Sequence, residues 1–308
     1  MSDAKQDLER IRAALEAADR HLVEALDARA KAVLELAQVR AKTEGTYFVA
    51  PNDDEVVEKL LEQSHGFAKP ALRSIVKEVL SASANLVGPV EVAYAGQEGG
   101  FGHLAARAHF GTSATHKPVE SAEAMLQAIA RGQAAFGVLP FETSHDGAVT
   151  QTLNLLARSD VKICAEVPIR RSFHLLSRAT EPRQVKTICA APSALVAAER
   201  YLARVFPDVA LVYTRTHMAA AVRATQDAET ATLGTSVVAE LAELPILERT
   251  VEDVPDLDTR YVVVGNAFPP RSGRDCTSVV VALHDGPGVL IDCLRPFAER
   301  KINLSRLE

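Results

Sequence analysis

The amino-acid sequence predicts a multidomain chain: an all-α segment, then a two-lobed α/β domain, then a short α+β segment. Three observations carry that reading. From residue 8 to about 43 there is no Gly or Pro, and Leu8, Ile11, Leu15, Leu22, Leu26, Val33 and Leu36 recur at spacings that line one face of a helix. Beyond Gly88-Pro89 the pattern changes to short β-branched or apolar runs alternating with helical stretches. After the breaker Pro269-Pro270-Arg271-Ser272-Gly273 it changes again, to a strand–helix–strand signal.

Taken in order, the first helix spans about 54 Å at 1.5 Å per residue, longer than a small domain is wide. Its apolar seam therefore needs a partner beyond the local chain, and a homodimer through this helix is expected. Residues 45–52 read as a loop, 54–63 as a second helix and 70–87 as a third, which closes a segment 1–88. The α/β domain, 89–268, holds a strand at 90–94, a helix at 121–131, a strand at 135–139 and a helix at 193–205. Its second lobe is expected to begin near Val161 and to carry strands at 187–189, 209–213, 230–233 and 261–265, with a ligand cleft between the lobes. Residues 277–308 contain a strand at 278–283, a helix at 289–300 and the start of a strand at Ile302.

Composition narrows the function. With 34 basic and 40 acidic side chains the formal charge is −6, so neither a nucleic-acid footprint nor a basic membrane stripe is evident. The N-terminus is charged from Asp3 onward and no apolar run approaches membrane-spanning length, so a cytoplasmic protein with a small-molecule ligand is expected. Cys164, Cys189, Cys276 and Cys293 lie far apart without a CxxC pair, which argues against a metal site or a disulfide framework.

Arg12, Arg29 and Arg40 each fall three or four residues from a member of the apolar seam. Arg29 and Arg40, about 16 Å apart along one face, can converge on a small dianion, whereas Arg12 is about 26 Å from Arg29 and reaches such a ligand only from an antiparallel partner helix. The competing reading is that these arginines extend their heads to solvent. The long helix with Arg12, the Leu15-Asp19-Leu22-Leu26-Arg29 run and a downstream cation resembles the all-helical chorismate mutase family. The resemblance implies that Arg12, Arg29, Arg40 and Glu55 bind chorismate, which rearranges without cofactor or covalent chemistry. Arg40 stands where that family usually has lysine, Asp54 near an expected arginine, and Val87 where a Gln or Glu faces the ether oxygen. Weak or absent mutase activity is expected.

Three segments of the α/β domain carry chemistry. Tyr94-Ala-Gly-Gln-Glu-Gly-Gly-Phe-Gly-His is a glycine-rich turn between a strand and a helix, able to cradle an anion. Phe141-Glu-Thr-Ser-His-Asp-Gly places Glu142 at a strand end, followed by Thr143, Ser144 and Gly147 at an expected helix start with free backbone amides. Asp258-Thr-Arg-Tyr-Val-Val-Val-Gly sets a hydroxyl and a guanidinium before a β-branched strand. In this order they resemble prephenate dehydratase. The resemblance implies Thr259 and Glu142 as catalytic residues, and Arg260, Thr143, Ser144, Gly99 and Gly147 as substrate-binding, with no cofactor. Departures fall at polar positions: Gly100 and Gly102 stand for Thr and Ser, Phe173 for His, Ala191 and Ser193 for His and Gln, His217 for Thr or Ser, and Leu257 for Asn.

Residues 285–308 resemble the opening of an ACT domain, the amino-acid-sensing module that follows this enzyme, and half a sheet does not close a regulatory pocket. The expected function is conversion of prephenate to phenylpyruvate. The alternatives are a catalytically silent binding or assembly homologue, or an enzyme acting on a prephenate-like acid.

Overall fold

The computed structural model describes residues 2–43, 54–269, 271, 273 and 275–307, without the side chains of residues 2, 3, 40, 41, 43, 54 and 55. The expected loop at 45–52 lies outside the described residues, as do the side chains of Arg40, Asp54 and Glu55. The chain divides into two compact units, 1–270 and 271–308. Among the described residues, no helix is long and apolar enough to cross a membrane.

In the first unit α1 (Ser2–Thr43) is a single helix of 42 residues, uninterrupted because no Gly or Pro breaks it. α2 (Asp54–Gln63) buries Val57 and Leu61 against Val76 of α3 (Lys69–Val87), and Ala37 on the C-terminal part of α1 is also buried. Toward the N-terminus of α1 the seam has no cover among the described residues of this unit: Leu8, Ile11, Leu15 and Leu22 are exposed, Leu15 by 61%. α3 is tied into the α/β fold. The Ser81 hydroxyl donates to the Phe110 carbonyl at 2.6 Å, and Glu78 accepts from the amide and hydroxyl of Thr112 at 3.1 and 2.6 Å.

The first lobe runs β1 (Glu91–Ala95), α4 (Phe101–Phe110), β2 (Thr115–Val119), α5 (Ala122–Ala130), β3 (Phe136–Thr143), β4 (Gly147–Ala148), α6 (Thr150–Ala157) and β5 (Lys162–Arg170). The second lobe runs β6 (His174–Ser177), β7 (Thr187–Ala190), α7 (Pro192–Ala197), α8 (Glu199–Val205), β8 (Ala210–Tyr213), α9 (His217–Gln226), β9 (Thr230–Gly234), α10 (Ser236–Leu241) and β10 (Ile246–Glu248). The chain then returns to the first sheet with β11 (Asp258–Gly265). The sheet orders are β2-β1-β3-β11-β5, with β4 beside β3, and β10-β6-β9-β7-β8.

This corrects the expected lobe boundary near Val161. β5 and β11 belong to the first sheet, where β11 inserts antiparallel between β3 and β5, and the second lobe begins after Arg170. Periodicity marks a strand but not its partner, and β11 pairs with segments roughly a hundred residues away. One face of the first sheet buries Val138, Val167, Ile169, Tyr261 and Val263 under α4, and the other buries Leu139, Val262 and Val264 under α5. The helix expected at 193–205 is broken at Ala198, because the Asp253 carboxylate takes the amides of Arg200 and Tyr201 at 2.7 and 2.8 Å and starts α8 afresh.

In the second unit α11 (Val289–Glu299) forms where the helix was expected. The expected strands at 278–283 and from Ile302 do not form. A strand exists through its ladder, and these segments find no pairing partner among the described residues.

Candidate functional site

Ligands of α/β sheets gather outside the carboxyl ends of the strands. In the first lobe β1 leads into the glycine-rich turn and α4 at such an edge, and the end of β3 lies beside the start of β11. In the second lobe β7, β8 and β9 lead into α7, α9 and α10. The two edges meet. The Thr235 hydroxyl, N-cap of α10, donates to the Gly99 carbonyl at 2.7 Å, Arg107 pairs with Glu240 at 2.6 Å, and the rings of Phe101 and Phe173 lie edge to face at 5.1 Å.

Thr259 lies at this junction, as the second residue of β11. It is 3% exposed, and its hydroxyl has no hydrogen-bond partner among the described residues. A buried, unsatisfied hydroxyl costs about 1–3 kcal/mol, so its retention calls for a purpose. Strand alternation sets Thr259 on the same face as Tyr261 and Val263, beneath α4.

Arg260 necessarily points to the opposite face. There its guanidinium pairs with Glu142, its direct cross-strand partner, and meets both oxygens of Glu166 at 3.3 Å. The cation expected to hold a substrate carboxylate therefore already holds two carboxylates of the protein, and the sheet separates Glu142 and Arg260 from Thr259.

The segment after Glu142 is not a helix start. Thr143 pairs with Gly147, whose φ of +76° suits glycine, in a tight hairpin, and α6 begins only at Thr150. The Thr143 hydroxyl accepts the Asp146 amide at 2.9 Å. Ser144 and Asp258 bond reciprocally, amide to carbonyl at 2.9 Å and amide to hydroxyl at 3.0 Å. The amides of Ser144 and Asp146, expected to be free, are thus consumed locally, and they fix the residue preceding Thr259. Gly99 is likewise spent. Its amide donates to His103 Nδ1 at 3.1 Å, its carbonyl serves Thr235, and at φ +77° a side chain there would run into Val238. His103 stacks on Tyr94 at 4.7 Å, and burial, with His116 and Arg107 nearby, pushes its pKa down to about 4.

Two further side chains face the junction. The His217 ring, 5.8 Å from that of Phe173, bonds the Leu233 carbonyl, while its Nδ1 has no partner among the described residues; burial lowers its pKa. Arg171 lies over the Phe101 ring at 5.2 Å, and its charge acts on the Tyr261 hydroxyl, whose pKa burial raises to about 12. Sequence reading does not single out Arg171, because only the register of β5 on β11 puts it on the face of Thr259.

In the helical segment Arg29 donates to the Ser83 hydroxyl, which in turn donates to the Val79 carbonyl at 2.6 Å. Sequence reading does not single out Ser83 either. The signal for it is its position one turn before Val87 on the same face of α3. Arg12 is exposed and does not join Arg29 within one chain.

A two-lobed α/β unit whose junction holds a buried, unsatisfied hydroxyl, preceded by an arginine-bearing helical segment, is the architecture of a small-molecule enzyme. The family models agree: chorismate mutase type II matches residues 11–87 and prephenate dehydratase residues 92–268. The chain is 30% identical to the bifunctional chorismate mutase/prephenate dehydratase of Pseudomonas aeruginosa, over 100% of this chain and 86% of that one. To that of Aquifex aeolicus it is 29% identical, over 98% and 85%. A solved prephenate dehydratase from Arthrobacter aurescens, in complex with L-Phe, superposes with a TM-score of 0.58 at 30% identity, over 71% of this chain and 75% of that one. The chain belongs to the bifunctional chorismate mutase/prephenate dehydratase family.

Proposed function

We propose that the α/β domain, 89–268, converts prephenate to phenylpyruvate, with Thr259 as the residue that delivers a proton to the departing ring hydroxyl. The hydroxyl leaves as water, the bond to the ring carboxylate breaks to release carbon dioxide, and its electron pair completes the aromatic ring. The observation that carries this reading is the buried Thr259 hydroxyl at the lobe junction, which has no hydrogen-bond partner among the described residues. Glu142 and Arg260 brace the strand end from the far face, while Thr143, Ser144, Gly147 and Gly99 hold the backbone around Thr259. Prephenate incubated with the purified protein should give phenylpyruvate, and Thr259→Ala should lower kcat by about 100-fold or more. Retention of most turnover by that variant removes Thr259 from the chemistry. The apolar or small Phe173, Ala191, Ser193 and Leu257 favour a second reading, a binding homologue, which prephenate binding without turnover would establish.

The helical segment, 1–88, is read as a chorismate-binding unit in which Arg29, Arg40 and Glu55 act with Arg12 of a second copy. Val87 leaves the ether oxygen without a donor, so its rearrangement is slow. The exposed Leu8, Ile11, Leu15 and Leu22 on α1 support a homodimer. We place the chain in the cytoplasm and read 277–308 as the opening of an ACT-like module.

A further inference from the structure

We propose that Arg171, rather than Arg260, is the cation that holds the carboxylate retained through the dehydratase reaction. This rests on the reading of Thr259 as the reacting hydroxyl. On β5 Ile169 is the direct partner of Thr259, and the Arg171 amide donates to the Leu257 carbonyl at 2.7 Å, so the ladder continues one pair beyond the end of the strand. Residues 167, 169 and 171 therefore share a face with 257, 259 and 261. Arg171 is thus the diagonal neighbour of Thr259 across two adjacent strands, on the face that meets the second lobe.

Its surroundings are those of a cation awaiting an anion. Among the described residues no carboxylate lies within ion-pair distance of Arg171, whereas Arg170, one residue earlier and on the other face, is paired with Asp256, and Arg260 with Glu142 and Glu166. The guanidinium is half-buried and lies over the Phe101 ring, an arrangement that orients its plane while leaving its N–H fork unused. A desolvated guanidinium without a counter-ion costs stability, and a bidentate carboxylate from a ligand repays it.

The chemistry separates the two carboxylates of the substrate. The side-chain carboxylate stays ionised throughout and gains from a permanent cation. The ring carboxylate must leave as neutral carbon dioxide, so an ion pair there would oppose the reaction. Phe101 and Phe173 provide apolar surroundings beside Arg171 in which that charge is poorly solvated and its loss is favoured.

The test is steady-state kinetics on the full chain with prephenate, comparing Arg171→Gln, Arg171→Lys, Arg260→Gln and Thr259→Ala. Arg171→Gln should raise KM at least ten-fold with kcat changed less than about three-fold, the signature of lost uniform binding. Arg171→Lys, which keeps the charge but not the fork, should fall between it and the parent and stands in if the glutamine variant does not fold. Arg260→Gln should lower the melting temperature and leave KM within two-fold. A KM within two-fold of the parent for a folded Arg171 variant, with Thr259→Ala inactive, overturns the assignment of Arg171 alone; an active Thr259→Ala overturns the underlying site.

Discussion

Val87 lies one turn beyond Ser83 on α3, the side of the helix that meets Arg29. Its methyl groups offer nothing to a negative charge developing on oxygen, while Arg29 and Ser83 already form a donor cluster beside it. Val87→Gln should therefore raise the rate of chorismate consumption at least ten-fold, as read by loss of chorismate absorbance; an unchanged rate would show that Val87 does not limit that reaction. The same residue-by-residue reading separates Thr259 from Arg260. They are adjacent in sequence, and adjacency in a strand guarantees opposite faces, so a motif that looks like one unit becomes a buried hydroxyl on one face and an ion pair on the other.

At the scale of the element, the glycine-rich turn is a closed packing device. Gly102, in the first turn of α4, has no room for a side chain, because a Cβ would run into the Ala95 carbonyl, a backbone atom that cannot swing aside. Gly102→Ser should destabilise the protein by about 1–3 kcal/mol, visible as a lowered melting temperature; an unchanged value would mean that the turn can open. The α3–α4 contact is a second element-scale constraint. Ser81→Ala removes the bond to the Phe110 carbonyl and should cost about 1–2 kcal/mol, detectable by denaturant titration with prephenate turnover as a second readout. Equal midpoints for parent and variant would show that the hydroxyl contributes nothing to holding the helical segment on the dehydratase lobe.

For the whole molecule, burial of neutral imidazoles makes stability fall in acid. His103, His116, His174 and His217 all have pKa values lowered by burial, that of His103 to about 4. A histidine whose folded value lies below the unfolded 6.5 leaves stability unaffected above that pH. As pH falls from 6.5 toward 4 the unfolded chain takes up a proton that the folded one refuses, so stability declines, by about 3 kcal/mol for His103, and then levels off. His103→Asn should reduce the drop in melting temperature between pH 7 and pH 4.5. An identical drop in both proteins would show that His103 does not set it. Assembly is also decided at this scale: light scattering should report a dimer for the parent and a monomer for Leu15→Lys, since the seam of α1 is exposed among the described residues of its unit.

The order of segments, the single long helix, the strands β1, β3, β7, β8, β9 and β11, the helix α5 and the motifs that carry the family are legible in the linear sequence. All of these are written in local periodicity, breakers and contiguous residue types. Long-range pairing settles which strands share a sheet, putting β11 and β5 in the first lobe, and which faces their side chains occupy. The tertiary structure also breaks α7 from α8 through Asp253, spends the amides of Gly99, Ser144 and Asp146 on the protein itself, and brings Arg171 beside Thr259. The strand pairings, the Asp253 cap, the Ser144 bond to Asp258 and the placement of Arg171 rest on partners tens to more than a hundred residues away, and local pattern cannot encode a distant register, because the free energy that fixes it exists only once both partners are in place.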